Sequence, residues 1–357
     1  MPSPHRVRLF LKTSFAILSL CLAGLASGCK SSEASTTGNP GKAGSPSAPT
    51  SAESVVIRFS DPGNAGILAY AKREGILERE LAKVGASLVY VPGPGAFSAS
   101  FEAMNSGAIN TSGGAISPII GALSHNLKFK IFAIADPGGI RQAGVISPAS
   151  SSVRELKALV GKRVAVNSAA HGDYILLKAL ANEGIPADQV TRIPIQPPDA
   201  AAAFATGRID AWSTFGVFYS TAVRNGAHVL VTEDKIQSDD VGVLAASATN
   251  LERGPEAYQV IIRVSQELTA LAHEHPEQFQ NVFTDKGPTA VSGDELRIAI
   301  EETRRLPAYR APTPTDRARV GNVSKIFYDN KSIDRQIPVD EIVFDVDAAA
   351  KAKGGRP

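Results

Sequence analysis

The chain has 357 residues, 43% of them hydrophobic, with 37 Lys and Arg against 35 Asp and Glu and a formal net charge of +2. The first 54 residues hold five basic side chains (Arg6, Arg8, Lys12, Lys30, Lys42) and two acidic ones (Glu33, Glu53), so the remaining body carries −1. Basic residues are scattered along that body, which argues against a nucleic-acid groove and leaves a small molecule or another protein as the expected partner.

Arg6, Arg8 and Lys12 precede the apolar run FAILSLCLAGLA, which ends in small residues, the pattern of a secretory signal. The run is clearly shorter than the about 20 apolar residues a bilayer-spanning helix needs. It ends at LASGC, which resembles the bacterial lipoprotein box, with Ala26 where that box more often has Leu. The resemblance implies that residues 1–28 are a signal peptide and that Cys29 is lipidated, tying the protein to a membrane of the periplasm or cell envelope; plain cleavage after Ala-Ser-Gly is the alternative. The other Cys, Cys21, lies inside the signal, so the mature chain has one thiol and no internal disulfide. Residues 29–54 contain almost no apolar side chain to offset the entropy of ordering them. As a flexible tether of about 25 residues they would span roughly 25 to 30 Å.

From Val55 the chain writes one pattern twice. SVVIRF, a β-branched run, leads through SDPGNAG into ILAYAKREGIL, whose apolar residues have helical spacing; GKRVAV leads through NSAAHG into DYILLKALANEGI. Both helices finish in Glu-Gly-Ile, where Gly is the expected left-handed terminator. Strand signals stopped by Pro follow, SLVYVP and VTRIPIQP, then the helical candidates FSASFEAMNSG and PDAAAAFATG, then matching corners in which Gly107, Ile109 and Asn110 correspond to Gly207, Ile209 and Asp210. Alternating β and α segments imply parallel sheets with right-handed crossovers, and two copies imply two lobes. Ligands of open α/β sheets bind outside the carboxyl ends of the strands, so residues 110–113 and 210–213 are expected on opposite walls of one cleft.

These residues resemble the solute-binding proteins of ABC importers, of the aliphatic sulfonate, taurine and nitrate type. The match runs from Val55 to about Asp347 and is carried by SGAINTSGGAISP, LVGKRVAVNSAAHGDYILLKALANEGI and PPDAAAAFATGRIDAW. The resemblance implies an α/β, two-lobed class II periplasmic-binding fold, each lobe a mostly parallel sheet flanked by helices: residues 55–142 begin lobe 1, 143–243 form lobe 2, 244–347 return to lobe 1 as a mainly helical part, and 348–357 are a loose tail. The crossings are expected near residues 141–147 and 241–247. It also implies a monomer without a cofactor, whose partners are a small organic anion and the transmembrane subunits of a permease. Two departures bear on the ligand: NSAAHG has Ala169 and Ala170 where similar sulfonate binders tend to have Ser or Thr, and Trp212 is followed by Ser213-Thr214-Phe215 rather than Asp-Pro. Taurine, a sulfate ester, nitrate or a thiamin-like pyrimidine therefore stay open beside an aliphatic sulfonate.

Loop-to-helix junctions leave backbone N–H groups free at the positive end of a helix dipole and so suit anions. Four junctions qualify, at residues 61–66, 93–97, 113–117 and 167–172. The candidate ligand-binding residues are Gly63, Asn64, Gly95, Ser112, Gly113, Gly114, Ser168, Ala169, His171, Trp212 and Thr214, with Ser117 a further side-chain donor. Trp212 either packs on an organic tail or is a core aromatic, and Arg141 either reaches the anion from the first crossing or is a solvated surface residue.

An enzyme is the rival class, either lipid-anchored in the periplasm or related to thiamin-pyrimidine synthesis and using His171. HEHPE, residues 273–277, has Glu277 where a zinc protease would need its second His. No Gly-x-Ser-x-Gly elbow surrounds Ser168, so with Asp173 nearby a capping or ligand-bonding role is expected, and Gly93-Pro94-Gly95 lacks a Walker Lys. No metal site is expected. A Cys29→Ser variant should leave the membrane fraction on cell fractionation; retention there would refute the anchor.

Overall fold

A computed structural model describes residues 54–93, 100–136 and 142–354. The signal, the tether up to residue 53, Cys29, Gly95, Arg141 and residues 355–357 lie outside the described residues. The first half of the repeat forms β1 (Val55–Ser60), α1 (Ile67–Glu74), α2 (Ile76–Ala82), β2 (Ala86–Val91), α3 (Phe101–Asn105), β3 (Thr111–Ala115), α4 (Ile116–Ser124) and β4 (Phe129–Ala135). After β5 (Ala143–Ser147) comes the second: β6 (Arg163–Val166), α5 (His171–Asn182), β7 (Thr191–Pro194), α6 (Pro197–Ala205), β8 (Ala211–Phe215), α7 (Gly216–Arg224) and β9 (His228–Thr232). The return part adds β10 (Gly242–Ser247), α8 (Ala248–Arg253), α9 (Pro255–Glu274), α10 (Gly293–Thr303), β11 (Tyr309–Arg310), α11 (Pro314–Asp329), α12 (Val339–Ile342) and α13 (Val346–Ala352).

Two sheets result, with orders β11-β4-β10-β3-β1-β2 and β7-β6-β8-β5-β9. Within each, the repeated strands pair in parallel, β2-β1-β3 and β7-β6-β8, and the next strand runs antiparallel, β10 against β3 and β5 against β8. The expected two-lobed class II periplasmic-binding architecture is therefore present. The segments expected to cross between lobes are β5 and β10, and each lies wholly in one sheet; the described passage between the sheets is residues 233–241, from β9 to β10.

The duplicated corner has a structural cause. Gly107 and Gly207 both adopt left-handed φ, 74° and 68°, which lets α3 and α6 turn sharply into β3 and β8. The next matched side chain then staples the strand entry: Asn110 Oδ1 accepts the backbone N–H of Arg58 at 2.8 Å, and Asp210 Oδ2 that of Arg163 at 2.8 Å. Asn110 and Asp210 thus sit at the amino ends of β3 and β8, away from the carboxyl ends where a ligand would bind, and do not form cleft walls.

Trp212 is 2% exposed, between Phe204 and Phe218 with ring centroids 5.6 and 6.0 Å away. It is a core residue of lobe 2, because β8 is covered by α6 and α7. The tail expected from residue 348 instead begins as α13, capped by Asp345 accepting from Ala348 N, with Ala350 buried. His273 and Glu277 do not share a helix: α9 ends at Glu274, and His273 Nε2 bonds the Leu306 carbonyl at 2.8 Å.

The lobes meet through an apolar contact in which Ala169, Tyr174 and Leu177 join the cluster of Ile116, Ile120 and Phe327. A Cβ on Gly121 would lie 2.1 Å from the Ala169 carbonyl, so α4 approaches the β6–α5 loop as closely as backbone allows.

Replacing Asn110, itself 3% exposed, by Ala would leave the part-buried N–H of Arg58 without its acceptor and should cost about 1–3 kcal/mol in urea unfolding. Asp210→Ala, at a side chain 32% exposed, should cost less; equal costs would contradict the role of burial.

Candidate functional site

The first turns of α4 and α5 face each other across the lobes, and a carboxylate lies between them. Ser117, second residue of α4, donates its backbone N–H to Asp240 Oδ1 at 2.8 Å and its hydroxyl to Oδ2. His171, first residue of α5, places Nδ1 2.7 Å from Asp240 Oδ2 and Nε2 3.1 Å from Glu233 Oε2. The first contact is a hydrogen bond; the second is at ion-pair distance without hydrogen-bond alignment, and among the described residues Glu233 Oε2 has no hydrogen-bond partner. Ser238 Oγ donates to Glu233 Oε1 at 2.9 Å. Asp240 and Glu233 both belong to the second passage between lobes, which Tyr174 also grips by accepting Asp239 N at 2.8 Å.

With a carboxylate at each ring nitrogen, His171 is an imidazolium. Burial works against its charge, but the attraction of Glu233 and the hydrogen bond to Asp240 outweigh it and hold the pKa up to about 10. The Phe215 ring packs edge-on at 5.0 Å. His171, Glu233 and Asp240 line a hollow of about 1080 Å³ between the lobes, bounded on the other side by Glu302 and Tyr309.

A second hollow, about 600 Å³, contains Ser168 and Arg192. Arg192 there bonds Asp173 at 2.9 Å and, across the lobes, Ser332 at 2.7 Å and the Asn330 carbonyl. Asp173 also accepts Ala169 N at 3.0 Å, which holds Ala169 at a φ of 48°.

Of the expected residues that are described, His171 alone lines the larger hollow and Ser168 lines the smaller. Gly63 donates its N–H to Asp61, and Asn64 is a brace: its side chain donates to the carbonyls of Thr284 and Thr289 and accepts the N–H groups of Phe283 and Thr284. Gly66 N donates to the Phe279 carbonyl, so the junction before α1 is already satisfied. Ser112 is buried against Ser60, hydroxyl to hydroxyl at 2.9 Å. Gly113 and Gly114 pair with Leu244 and Val243 of β10, and Gly172 N is taken by Asn167 Oδ1 at 2.8 Å. Thr214 is buried in β8, and among the described residues its hydroxyl has no hydrogen-bond partner. Sequence reading missed Asp240 and Glu233; the available signal was an acidic pair, Asp239-Asp240, at the mouth of the apolar strand VGVLAAS.

Residues 118–279 match the NMT1/THI5 like family. Two proteins named as aliphatic sulfonates-binding are similar to the chain. The one from Bacillus subtilis is 27% identical over 64% of this chain and 69% of its own length, and the one from Escherichia coli is 25% identical over 83% and 90%. Among solved structures, the alkanesulfonate-binding protein of Xanthomonas axonopodis pv. citri, bound to MOPS, has a TM-score of 0.70 at 20% identity, covering 83% of this chain and 100% of that one. A desulfurization enzyme shares the fold at a TM-score of 0.55 and 13% identity, over 84% and 99%. The family resemblance seen in the sequence holds.

The pKa of His171 lies above the usual 6.5, so its charge contributes stability that is complete below about 6.5 and is lost as the pH rises toward about 10. Urea midpoints of the parent should therefore fall over that window relative to those of a His171→Gln variant. Parallel profiles would show that the imidazolium contributes nothing.

Proposed function

We propose that this chain is the extracytoplasmic solute-binding component of an ABC importer, taking a small sulfonate anion between its lobes and delivering it unchanged to the transmembrane subunits of a permease. The similarity to sulfonate-binding proteins over most of the chain supports the role. The observation that carries the choice of an anion is that the first turns of α4 and α5 converge, through Ser117 and His171, on a single negative group, the Asp240 carboxylate. A hydrogen bond to a charged group contributes about 1.5 to 3 kcal/mol, whereas micromolar binding needs about 8. At least three chain segments must therefore converge on the ligand, and in this reading they are the direct junctions of β3 with α4 and of β8 with α7 and the loop between β6 and α5. Because the ligand then favours only the closed form, capture and closure are one event.

The same reading includes an anchor at Cys29, a place in the periplasm or cell envelope and a monomeric receptor that catalyses no reaction. Both nitrogens of His171 already face carboxylates, which leaves it no free partner with which to activate a nucleophile.

Calorimetry with ethanesulfonate should show binding of one ligand per chain, and mass spectrometry should recover it unaltered. Taurine, a sulfate ester, nitrate and a thiamin-type pyrimidine form the comparison set. Affinity for ethanesulfonate should stay level between about pH 7 and 8, since His171 keeps its proton until about 10. Conversion of the ligand, or binding confined to the pyrimidine, would overturn the proposal.

A further inference from the structure

The junction before α4 holds an anion supplied by the chain itself. Asp240, with a fully buried side chain, takes both the backbone N–H and the hydroxyl of Ser117 and, with the same carboxylate, Nδ1 of His171. A sulfonate seated between the first turns of α4 and α5 would need these donors. Other N–H groups nearby are engaged as well, Gly172 N by Asn167 and Ala169 N by Asp173. Ser213, whose carbonyl lies against Gly172 at the start of α5, is 1% exposed, and among the described residues its hydroxyl has no hydrogen-bond partner. The local charge is unfavourable to a second anion, because two buried carboxylates, Asp240 and Glu233, face one imidazolium.

We infer that Asp240 is a resident competitor for the ligand's anion position, and that a sulfonate binds by displacing its carboxylate from Ser117 and His171. This rests on the sulfonate reading given above. Glu233 stays beside His171 after displacement and preserves the imidazolium, so the incoming anion exchanges one carboxylate for another negative group. Asp240 also lies near the end of the passage 233–241, two residues before β10 begins at Gly242. Displacing it moves the segment that joins the lobes, so occupancy of the seat is felt by the connection itself. Asp240 would thereby set which anions bind, favouring those that take more than the three donors it uses.

The test is calorimetry with ethanesulfonate on the full chain and on Asp240→Asn, which removes the charge and keeps the shape. Asp240→Ser serves the same purpose should the amide variant fail to fold. The variant should bind about tenfold more tightly or better, while the uncharged ethyl methyl sulfone should gain nothing. Parent binding with an unchanged or weaker variant overturns the inference and leaves the sulfonate reading standing. An equal gain for the neutral sulfone also overturns it, since loosening rather than charge would then be the cause. Binding by the variant alone supports it, and binding by neither overturns both.

Discussion

A carboxylate removed from water needs a partner for its charge and donors for its oxygens, because desolvation costs several kcal/mol per ion. Asp240 meets both needs only when α4 of one lobe and α5 of the other are brought together around it. That requirement fixes the relation of the two sheets more narrowly than apolar contact could, since hydrophobic attraction has no direction whereas three donors on one carboxylate do. The hollow beside His171, the edge-on Phe215 ring and the grip of Tyr174 on the passage all follow from where this one group sits.

Around it, the two lobes solve the same problem by the same means. Each begins with a parallel β-α-β unit, turns on a left-handed glycine, and staples the incoming strand through the side chain two residues before its second position, Asn110 in one copy and Asp210 in the other. One copy is neutral and buried, the other charged and half-buried beside Arg163. The duplication therefore preserves a corner geometry and leaves the chemistry of the corner free to differ.

What could be read from the sequence divides along physical lines. Local patterns were legible: the order of strands and helices, the left-handed Gly75 and Gly184 after the paired helices, and the two lobes, because periodicity and turn residues act over a few positions. Partners distant in sequence were not. Asn64 looked like a free donor until a loop more than two hundred residues later covered it, and the seat before α4 looked empty because its occupant lies 123 residues away. Trp212 stood beside a motif, yet its depth was decided by α6 and α7 closing over β8. Of the junctions read as anion seats, the one before α4 holds a carboxylate, Asp240, and the one before α1 a neutral carbonyl, that of Phe279; which group fills each is a tertiary question.

The exchanged strands carry a consequence for how the molecule is made. The second sheet draws only on β5 to β9, an unbroken stretch, whereas β10 lies between β3 and β4 in the first. Until β10 emerges, β3 and β4 lack the neighbour that joins them, and contacts so remote along the chain are slow to form. The second sheet can therefore close from one continuous stretch of chain, whereas the first keeps the facing edges of β3 and β4 open until β10 is available to fill the gap.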